Sequence, residues 1–484
     1  MAPLALLVWL VGIVACVAVA ASAVNRLVDR LAIVGNELAT RQTLAGLVAV
    51  SLYLLVAVCW LIGLRFAARR LGLRWILLVG VVGTVAVRTA LAVGIDVPLA
   101  GDALANHEEA VAIATGGLRL GDRLIGYPTP LGGLYAAFGP HPWLGELFNV
   151  VVAAIGAVVL FDLLRRSVGA SAAATGIGLY AVMPSLALLT PVLTSALTYM
   201  TLLLVALWLL VALPATTPAW GGWQPPASAW ATTCAILAGV VLGLSQYVRP
   251  ATFVLLPAFV VTAMVVMRQR RQRRAAGLLV VAFLLVLVPA IVENATRNGA
   301  MSVETWSFGG YTVLVGTNAE ASGRFNAVDA ATLEELPGDT VRERSDAAGQ
   351  LGLRRVLDDP DGFAALVARK LVGMWGEEGY GAFLALEANR TTPLGAGFVT
   401  AGYVSSALMW VLITTAAAWG VVRTGPRPPA WLVATILLAL CLSAYHAVVE
   451  VQPLYHTYLA PLWIGAAAVG LTRRAAEAPP PAPA

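Results

Sequence analysis

The sequence is short of charge. Only 12% of its 484 residues are Asp, Glu, Lys or Arg, against about 25% in soluble domains. A water-soluble fold could not hide the apolar surface that goes with this, since 59% of the residues are hydrophobic and the mean hydropathy is +0.82. A β-barrel would show short alternating segments in place of the long apolar runs seen here. The fold class that remains is an all-α polytopic membrane protein. Cysteine is scarce as well. Cys16, Cys59, Cys234 and Cys441 each lie inside an apolar run, and no two have metal-site spacing. A Gly-rich phosphate loop of the nucleotide type is missing, and so is any internal repeat of fixed period. The net charge of +5 is spread in short basic runs between apolar stretches, which excludes a nucleic-acid footprint.

A spanning helix needs about 20 mostly apolar residues, and about twelve stretches qualify: 4–23, 43–63, 76–94, 143–161, 170–190, 194–213, 229–247, 250–267, 277–293, 398–422, 430–448 and 456–471. The first is read as an uncleaved helix, because no Lys or Arg precedes it and it is long for a signal core. Orientation follows from the basic runs: Arg65, Arg69, Arg70 and Arg74; Arg165 and Arg166; Arg268, Arg270, Arg271, Arg273 and Arg274; Arg423 and Arg427; Arg473 and Arg474. Placing all of them in the cytoplasm gives one alternation, with both termini inside. The loop with Trp220, Trp223, Pro225 and Pro226 also falls inside, where its aromatics suit an interface.

Two long segments then fall outside, 95–142 and 294–397. The chain divides accordingly into N-terminal membrane helices (1–75), a transmembrane module carrying the first outer loop (76–293), an extracytoplasmic segment (294–397), C-terminal transmembrane helices (398–471) and an Ala- and Pro-rich tail (472–484) that reads as disordered. Within the outer segment, Phe363, Leu366, Val367, Lys370, Leu371 and Met374 have helical spacing after an Asp-Pro start, which predicts a helix over 358–377. The Gly-, aromatic- and β-branched-rich stretch 305–318 reads as strand or loop.

The first outer loop holds the chemistry. Asp102 sits just past the third span, after Pro98 and Gly101. Behind it, Ala103, Ala110, Ile113 and Ala114 fit one face of a helix and Asn106, His107, Glu108 and Glu109 another, as in a short amphipathic helix lying in the interface. A carboxylate here can take a proton from a sugar hydroxyl, and it can hold a divalent cation. An Asp before an amphipathic run also serves as a helix N-cap, and the residues alone leave both roles open. Arg249 and Arg297 are basic residues on the outer side, at span ends where a lipid phosphate would sit; snorkelling to headgroups accounts for each equally well. Glu450, Gln452, Tyr455 and His456 cluster in the last outer loop. His446 and His456 do not have a metal-ligand spacing, and His107 reads as a surface polar residue.

In their order along the chain these features resemble the GT-C superfamily of polyprenyl-phosphate-sugar-dependent glycosyltransferases. The nearest members are of the family 39 protein-mannosyltransferase-like and lipid A aminoarabinose-transferase-like kinds. Asp102, Ala110 and Gly116 fit the family's first outer loop, Tyr127-Pro128-Thr129-Pro130 its turn, and Asn149 the start of its next helix. Pro184, the Val248-Arg249-Pro250 turn, Pro289 with Glu293, Asn294, Arg297 and Asn298, Gly316-Thr317-Asn318, and Asp359-Pro360 leading to Phe363 and Lys370-Leu371 continue the likeness over residues 76–471. The chain departs from the pattern at Ala103 (a second acid in the family), Asn106 (Tyr), Glu146 (Arg) and Leu454-Tyr455-His456 (Arg-Tyr). The resemblance implies an inverting sugar transfer on the outer face of the plasma membrane. The donor would be a polyprenyl-phosphate-linked sugar and the acceptor a hydroxyl of an envelope glycan, lipid or protein. Asp102 would be the general base or acceptor-orienting group, and Glu108, Glu109, Tyr127, Arg249, Arg297, Glu450, Gln452, Tyr455 and His456 would contact substrate. The resemblance implies no certain cofactor, and a divalent cation is compatible with these acids.

Two other classes fit parts of the sequence. About twelve spans suit a transporter or lipid flippase, although the acids lie in loops and the two halves show no symmetry. A non-catalytic cell-envelope assembly protein would also account for the missing second acid. The orientation common to these readings is tested by cysteine labelling in intact cells with an impermeant reagent. Thr340→Cys is expected to react and Arg271→Cys to stay unlabelled; the reverse pattern overturns the orientation.

Overall fold

The computed structural model describes residues 2–37, 41–70, 72–117, 124–212, 227–266, 270–298, 301–388, 390 and 394–472. Every regular element among the described residues is helical. In chain order these are α1 (Ala2–Glu37), α2 (Arg41–Arg70) and α3 (Leu73–Gly94); α4 (Gly101–Ala114) and α5 (Pro128–Phe138) in the first long loop; then α6 (Trp143–Ser167), α7 (Ala170–Val182), α8 (Pro184–Leu188), α9 (Ala196–Val211), α10 (Ala227–Val248), α11 (Thr252–Val266) and α12 (Arg270–Asn298). The segment 294–397 carries α13 (Gly309–Gly316), α14 (Ala327–Glu335), α15 (Val341–Asp358), α16 (Pro360–Gly376) and α17 (Tyr380–Ala382), and the chain closes with α18 (Ala396–Thr424), α19 (Ala430–Val448) and α20 (Ala460–Leu471).

Eight of these helices are long and apolar enough to cross a membrane: α1, α2, α3, α6, α10, α12, α18 and α19. The other four expected spans are short or broken. Met183 is extended (φ −66, ψ 114) ahead of Pro184, so the stretch 170–190 splits into α7 and α8. The steric demand of a proline ring on the preceding residue is the cause. The last stretch begins as a tight 3-10 turn at Pro453–Leu459 before α20, and α9 and α11 have 16 and 15 residues.

The outer flanks of the bundle are apolar. Leu52, Leu55, Val56 and Ile62 on α2 are each more than half exposed, which only a hydrocarbon surround tolerates on this scale. The core lies between α6, α7, α9, α10, α18, α19 and α20. Basic residues gather at one end of the bundle: Arg65 donates to Thr175 Oγ1 in the first half of α7 (3.2 Å) and to the Leu471 carbonyl, and Arg423 to the Gly470 and Thr472 carbonyls (3.1 and 2.6 Å). The segment 294–397 lies at the opposite end. Trp220, Trp223, Pro225, Pro226, Arg268, Arg473, Arg474 and the rest of the tail are outside the described residues.

The segment 294–397 begins where the Asn294 side chain donates to the Ser302 and Glu304 carbonyls (3.0 and 2.8 Å) and folds the chain back from α12. Its centre is buried Asp329, which accepts from Asn318 (2.8 Å), Asn326 (2.7 Å) and Arg355 (3.2 Å). The helix expected over 358–377 is α16, capped by Asp359 accepting from the Gly362 N–H. The strand or loop expected over 305–318 is instead α13. Its glycines weaken a helix locally but are required by contact: a Cβ on Gly310 would overlap the Ser345 carbonyl of α15, and one on Gly316 the backbone of Val448 to Glu450. Tertiary packing overrides β propensity here. The Tyr127-Pro128-Thr129-Pro130 turn likewise opens a helix, with Pro128 at the first position of α5.

Candidate active site

Three charged side chains from separate parts of the chain come into electrostatic reach of one another at the end of the bundle nearest 294–397: Asp102, Arg249 and Glu450.

Asp102 is carried by α4. Gly101, at φ +53, lets the chain turn straight from the exit of α3 into the helix. Ala100 is the N-cap and offers no side chain, so Asp102 is the second helical residue and not a cap. Its carboxylate is exposed and has no hydrogen-bond or ion-pair partner among the described residues. The helix is anchored behind it. Ala103 and Ala110 are buried against Leu131 and Tyr135, Asn106 Nδ2 donates to the Leu193 carbonyl (2.8 Å), and His107 Nδ1 pairs with the Tyr135 hydroxyl (2.8 Å). Burial lowers the His107 pKa against the pull of Glu108, so the ring is neutral at neutral pH.

Arg249 sits in the turn between α10 and α11, where Pro250 ends the helix. The turn is held from every side. Ser245 Oγ meets Thr252 Oγ1 at 2.9 Å, and Thr252 Oγ1 donates to the Tyr199 hydroxyl at 3.1 Å. The Phe253 N–H donates to Gln246 Oε1 (2.9 Å), Thr305 Oγ1 to the Gln246 carbonyl (3.0 Å) and the Gly126 N–H to the Tyr247 carbonyl (3.0 Å). The Arg249 Nε is buried and has no hydrogen-bond partner. Burial alone would lower the guanidinium pKa; the surroundings of Tyr458, Tyr455, Asp102 and Glu450 more than offset it and the net shift is upward. The group is a cation within electrostatic reach of two acids and pairs with neither.

Glu450 is half-buried in the link between α19 and the Pro453–Leu459 turn. Its N–H donates to the Thr312 carbonyl (2.7 Å) and the Val451 N–H to that of Gly323 (2.9 Å). Buried Lys370 of α16 donates to the Gly316, Ala447 and Val449 carbonyls at 2.7, 3.0 and 2.8 Å. Burial lowers the Lys370 pKa to about 7, with Glu450 pulling upward. The Glu450 carboxyl accepts from Gln452 Nε2 (2.9 Å). Burial, aided by Asp102, raises its pKa against Gln452, Arg249 and Lys370. Tyr455 stacks on His446 (4.4 Å, 17°), whose Nδ1 pairs with the Glu450 carbonyl at 2.7 Å.

The structure thus brings together Asp102, Arg249, Glu450, Gln452 and Tyr455. His456 is elsewhere: it is fully buried, bonded to Glu378 Oε2 and packed against Trp410 and Trp375. Tyr127 is 1% exposed and packs with Phe148 and Leu131. Glu108 is exposed and Glu109 half-exposed along α4. Arg297 ends α12, and its side chain is outside the described residues. Asn149 is buried and donates to the Thr190 and Val192 carbonyls (3.1 and 2.8 Å). Among the described residues no three His, Cys, Asp or Glu side chains converge as metal ligands would.

Tyr380 was not singled out by the sequence. It lies within electrostatic reach of Asp102, Glu450 and Arg249 and lines a cavity of about 350 Å³ together with Gln452, Tyr403 and Arg324. Its only sequence signal is a Gly-Tyr-Gly after two acids.

No family profile and no curated protein matches the chain. Among solved structures it is similar to the archaeal oligosaccharyltransferase AglB from Archaeoglobus fulgidus in complex with an inhibitory peptide and a dolichol-phosphate, at 14% identity and a TM-score of 0.48, over 83% of this chain and 50% of that one. It is also similar to ArnT from Cupriavidus metallidurans bound to undecaprenyl phosphate, at 15% identity and a TM-score of 0.38, over 81% of this chain and 77% of that one. The chain spans about half the length of the archaeal protein.

The clamp under Glu450 has a direct test. Lys370→Met keeps bulk but leaves three buried carbonyls without donors, at a cost of about 1–3 kcal/mol for each unsatisfied group. Amide hydrogen exchange across 445–455 is expected to quicken at least tenfold while exchange in α6 stays unchanged. Unaltered protection at 445–455 rules the clamp out.

Proposed function

We propose that the protein is a membrane glycosyltransferase of the GT-C kind, which moves a sugar from a polyprenyl-phosphate donor to an acceptor hydroxyl on the extracytoplasmic face of the plasma membrane. The observation that carries this reading is Arg249: a half-buried guanidinium with an unpartnered Nε, at the boundary of the apolar bundle, within electrostatic reach of two carboxylates and paired with neither. A guanidinium so placed suits the phosphate of a lipid carrier, which presents its charge at the membrane surface.

The remaining groups fit the reaction. Asp102 accepts the proton of the acceptor hydroxyl as its oxygen attacks the anomeric carbon of the donor sugar. The bond from that carbon to the phosphate oxygen breaks on the opposite side, so the sugar inverts, and polyprenyl phosphate leaves with its new negative charge towards Arg249. Glu450 and Gln452, already joined to each other, supply hydrogen bonds to sugar hydroxyls, and Tyr380 and Tyr455 give the apolar and stacking surface that a sugar ring needs. The carrier lipid supplies the leaving group, which removes any need for a nucleotide site. A divalent cation at the acids is compatible with this scheme and no step depends on it. The position of the acids at helix ends and not in mid-span supports transfer over transport.

The test is turnover by purified protein with a panel of polyprenyl-phosphate sugars. Asp102→Asn is expected to keep the thermal stability of wild type, since the residue is no cap, and to lower transfer by a factor on the order of a hundred or more. Asp102→Glu, which moves the carboxylate by a methylene, is also expected to be poor. Near wild-type transfer by Asp102→Asn contradicts the assignment. Absence of turnover by wild type across the panel, with movement of lipid or solute across vesicles instead, favours a transporter or flippase.

A further inference from the structure

A second cavity, of about 670 Å³, lies beside the first, with Lys370 and Val451 in its wall. Neither Asp102, Arg249 nor Glu450 lines it. Three guanidinium groups do: Arg26 from α1, Arg324 from the turn before α14, and Arg369 from α16, together with Ser322 and the acids Glu320 and Glu377. Two of these charges cancel directly, because Arg324 pairs with Glu377 at 2.7 Å. Arg26 and Arg369 have no carboxylate partner among the described residues, and the Arg26 Nε is buried without any hydrogen-bond partner. Arg26 falls at the end of the apolar window Trp9–Val28, the depth at which phospholipid headgroups sit. Snorkelling would send such a side chain outward to water; this one lies in the cavity wall with its Nε buried.

We infer that this cavity binds a phosphate-bearing anion at the membrane boundary, held by Arg26 and Arg369 with the Ser322 hydroxyl beside them. Guanidinium groups match phosphate oxygens in a two-point geometry that a lysine cannot provide. The Arg324–Glu377 pair stiffens one wall, and Glu320 limits how much negative charge the cavity accepts. The phosphate belongs either to a phospholipid headgroup or to a soluble phosphorylated compound, and the site is separate from the one at Asp102.

The full chain is tested with two probes: inorganic pyrophosphate titrated calorimetrically in detergent, and phosphatidylglycerol retained in native mass spectra after reconstitution in nanodiscs. Binding of pyrophosphate identifies a soluble phosphate as sufficient; binding of phosphatidylglycerol alone identifies a lipid. In either case Arg26→Gln and Arg369→Gln are each expected to weaken binding about tenfold, and Glu320→Gln to tighten it several-fold. Arg369 is exposed, so its variant keeps the test valid even where Arg26→Gln folds poorly. Binding of neither probe to wild type, or unchanged binding in Arg369→Gln, overturns the proposal.

Discussion

One buried lysine ties the segment 294–397 to the membrane helices. Lys370 belongs to the segment 294–397, yet its three donors go to carbonyls at the end of α13, at the end of α19 and in the link that follows. A lysine is rarely this buried, and here three carbonyls take its hydrogen bonds. The link between α19 and α20 is thereby fixed against α13, where Gly316 leaves no room for a Cβ. Glu450 rides on that link. Its distance from Arg249 and Asp102 is set by a residue that touches neither of them.

The same constraint recurs on the Asp102 side. The broken stretch after Pro184 leaves carbonyls inside an apolar bundle, where each unmet group costs several kcal/mol. Side chains meet them: Arg88 of α3 donates to the Leu186 carbonyl (2.5 Å) and to Thr190 Oγ1 (3.2 Å) and lies over the Tyr180 ring at 5.1 Å. Asn149 serves the Thr190 and Val192 carbonyls and Asn106 that of Leu193. Asn106 lies one turn along α4 from Asp102. The irregular backbone is therefore both tolerated and used, since satisfying its carbonyls anchors the helix that carries the acid. A proline break deep in the bundle thus helps to hold the helix that carries Asp102.

Much of the architecture was legible in the sequence, because hydrocarbon imposes a length and a composition on every crossing helix. The eight continuous spans, α4 and α16 all follow from periodicity and apolar runs. The grouping of Arg65, Arg423 and the end of α20 at one end of the bundle follows from the basic runs. The stretch 305–318 was misleading, because its glycines serve close backbone approach in a helix and its β-branched residues pack as core. Within the site, Asp102, Arg249, Glu450, Gln452 and Tyr455 could be singled out as polar groups at span ends. Adjacency in sequence misplaced His456, since a 3-10 turn sends consecutive side chains in different directions and this one into a tryptophan-lined core. Lys370 could be placed on a helical stripe, but three carbonyls converging from remote segments leave no local trace. Nor could the sequence decide whether Asp102 caps α4, which rests on one residue of register at the start of that helix.

The central claim is that the unneutralised guanidinium of Arg249 receives the phosphate of a lipid carrier, and it is tested most directly without chemistry. The affinity of the purified protein for a polyprenyl phosphate that bears no sugar is measured for wild type and for Arg249→Gln. Loss of a charge-assisted contact worth roughly 1.5–3 kcal/mol is expected to weaken binding by about ten- to a hundredfold. Equal affinity in the two proteins contradicts the account.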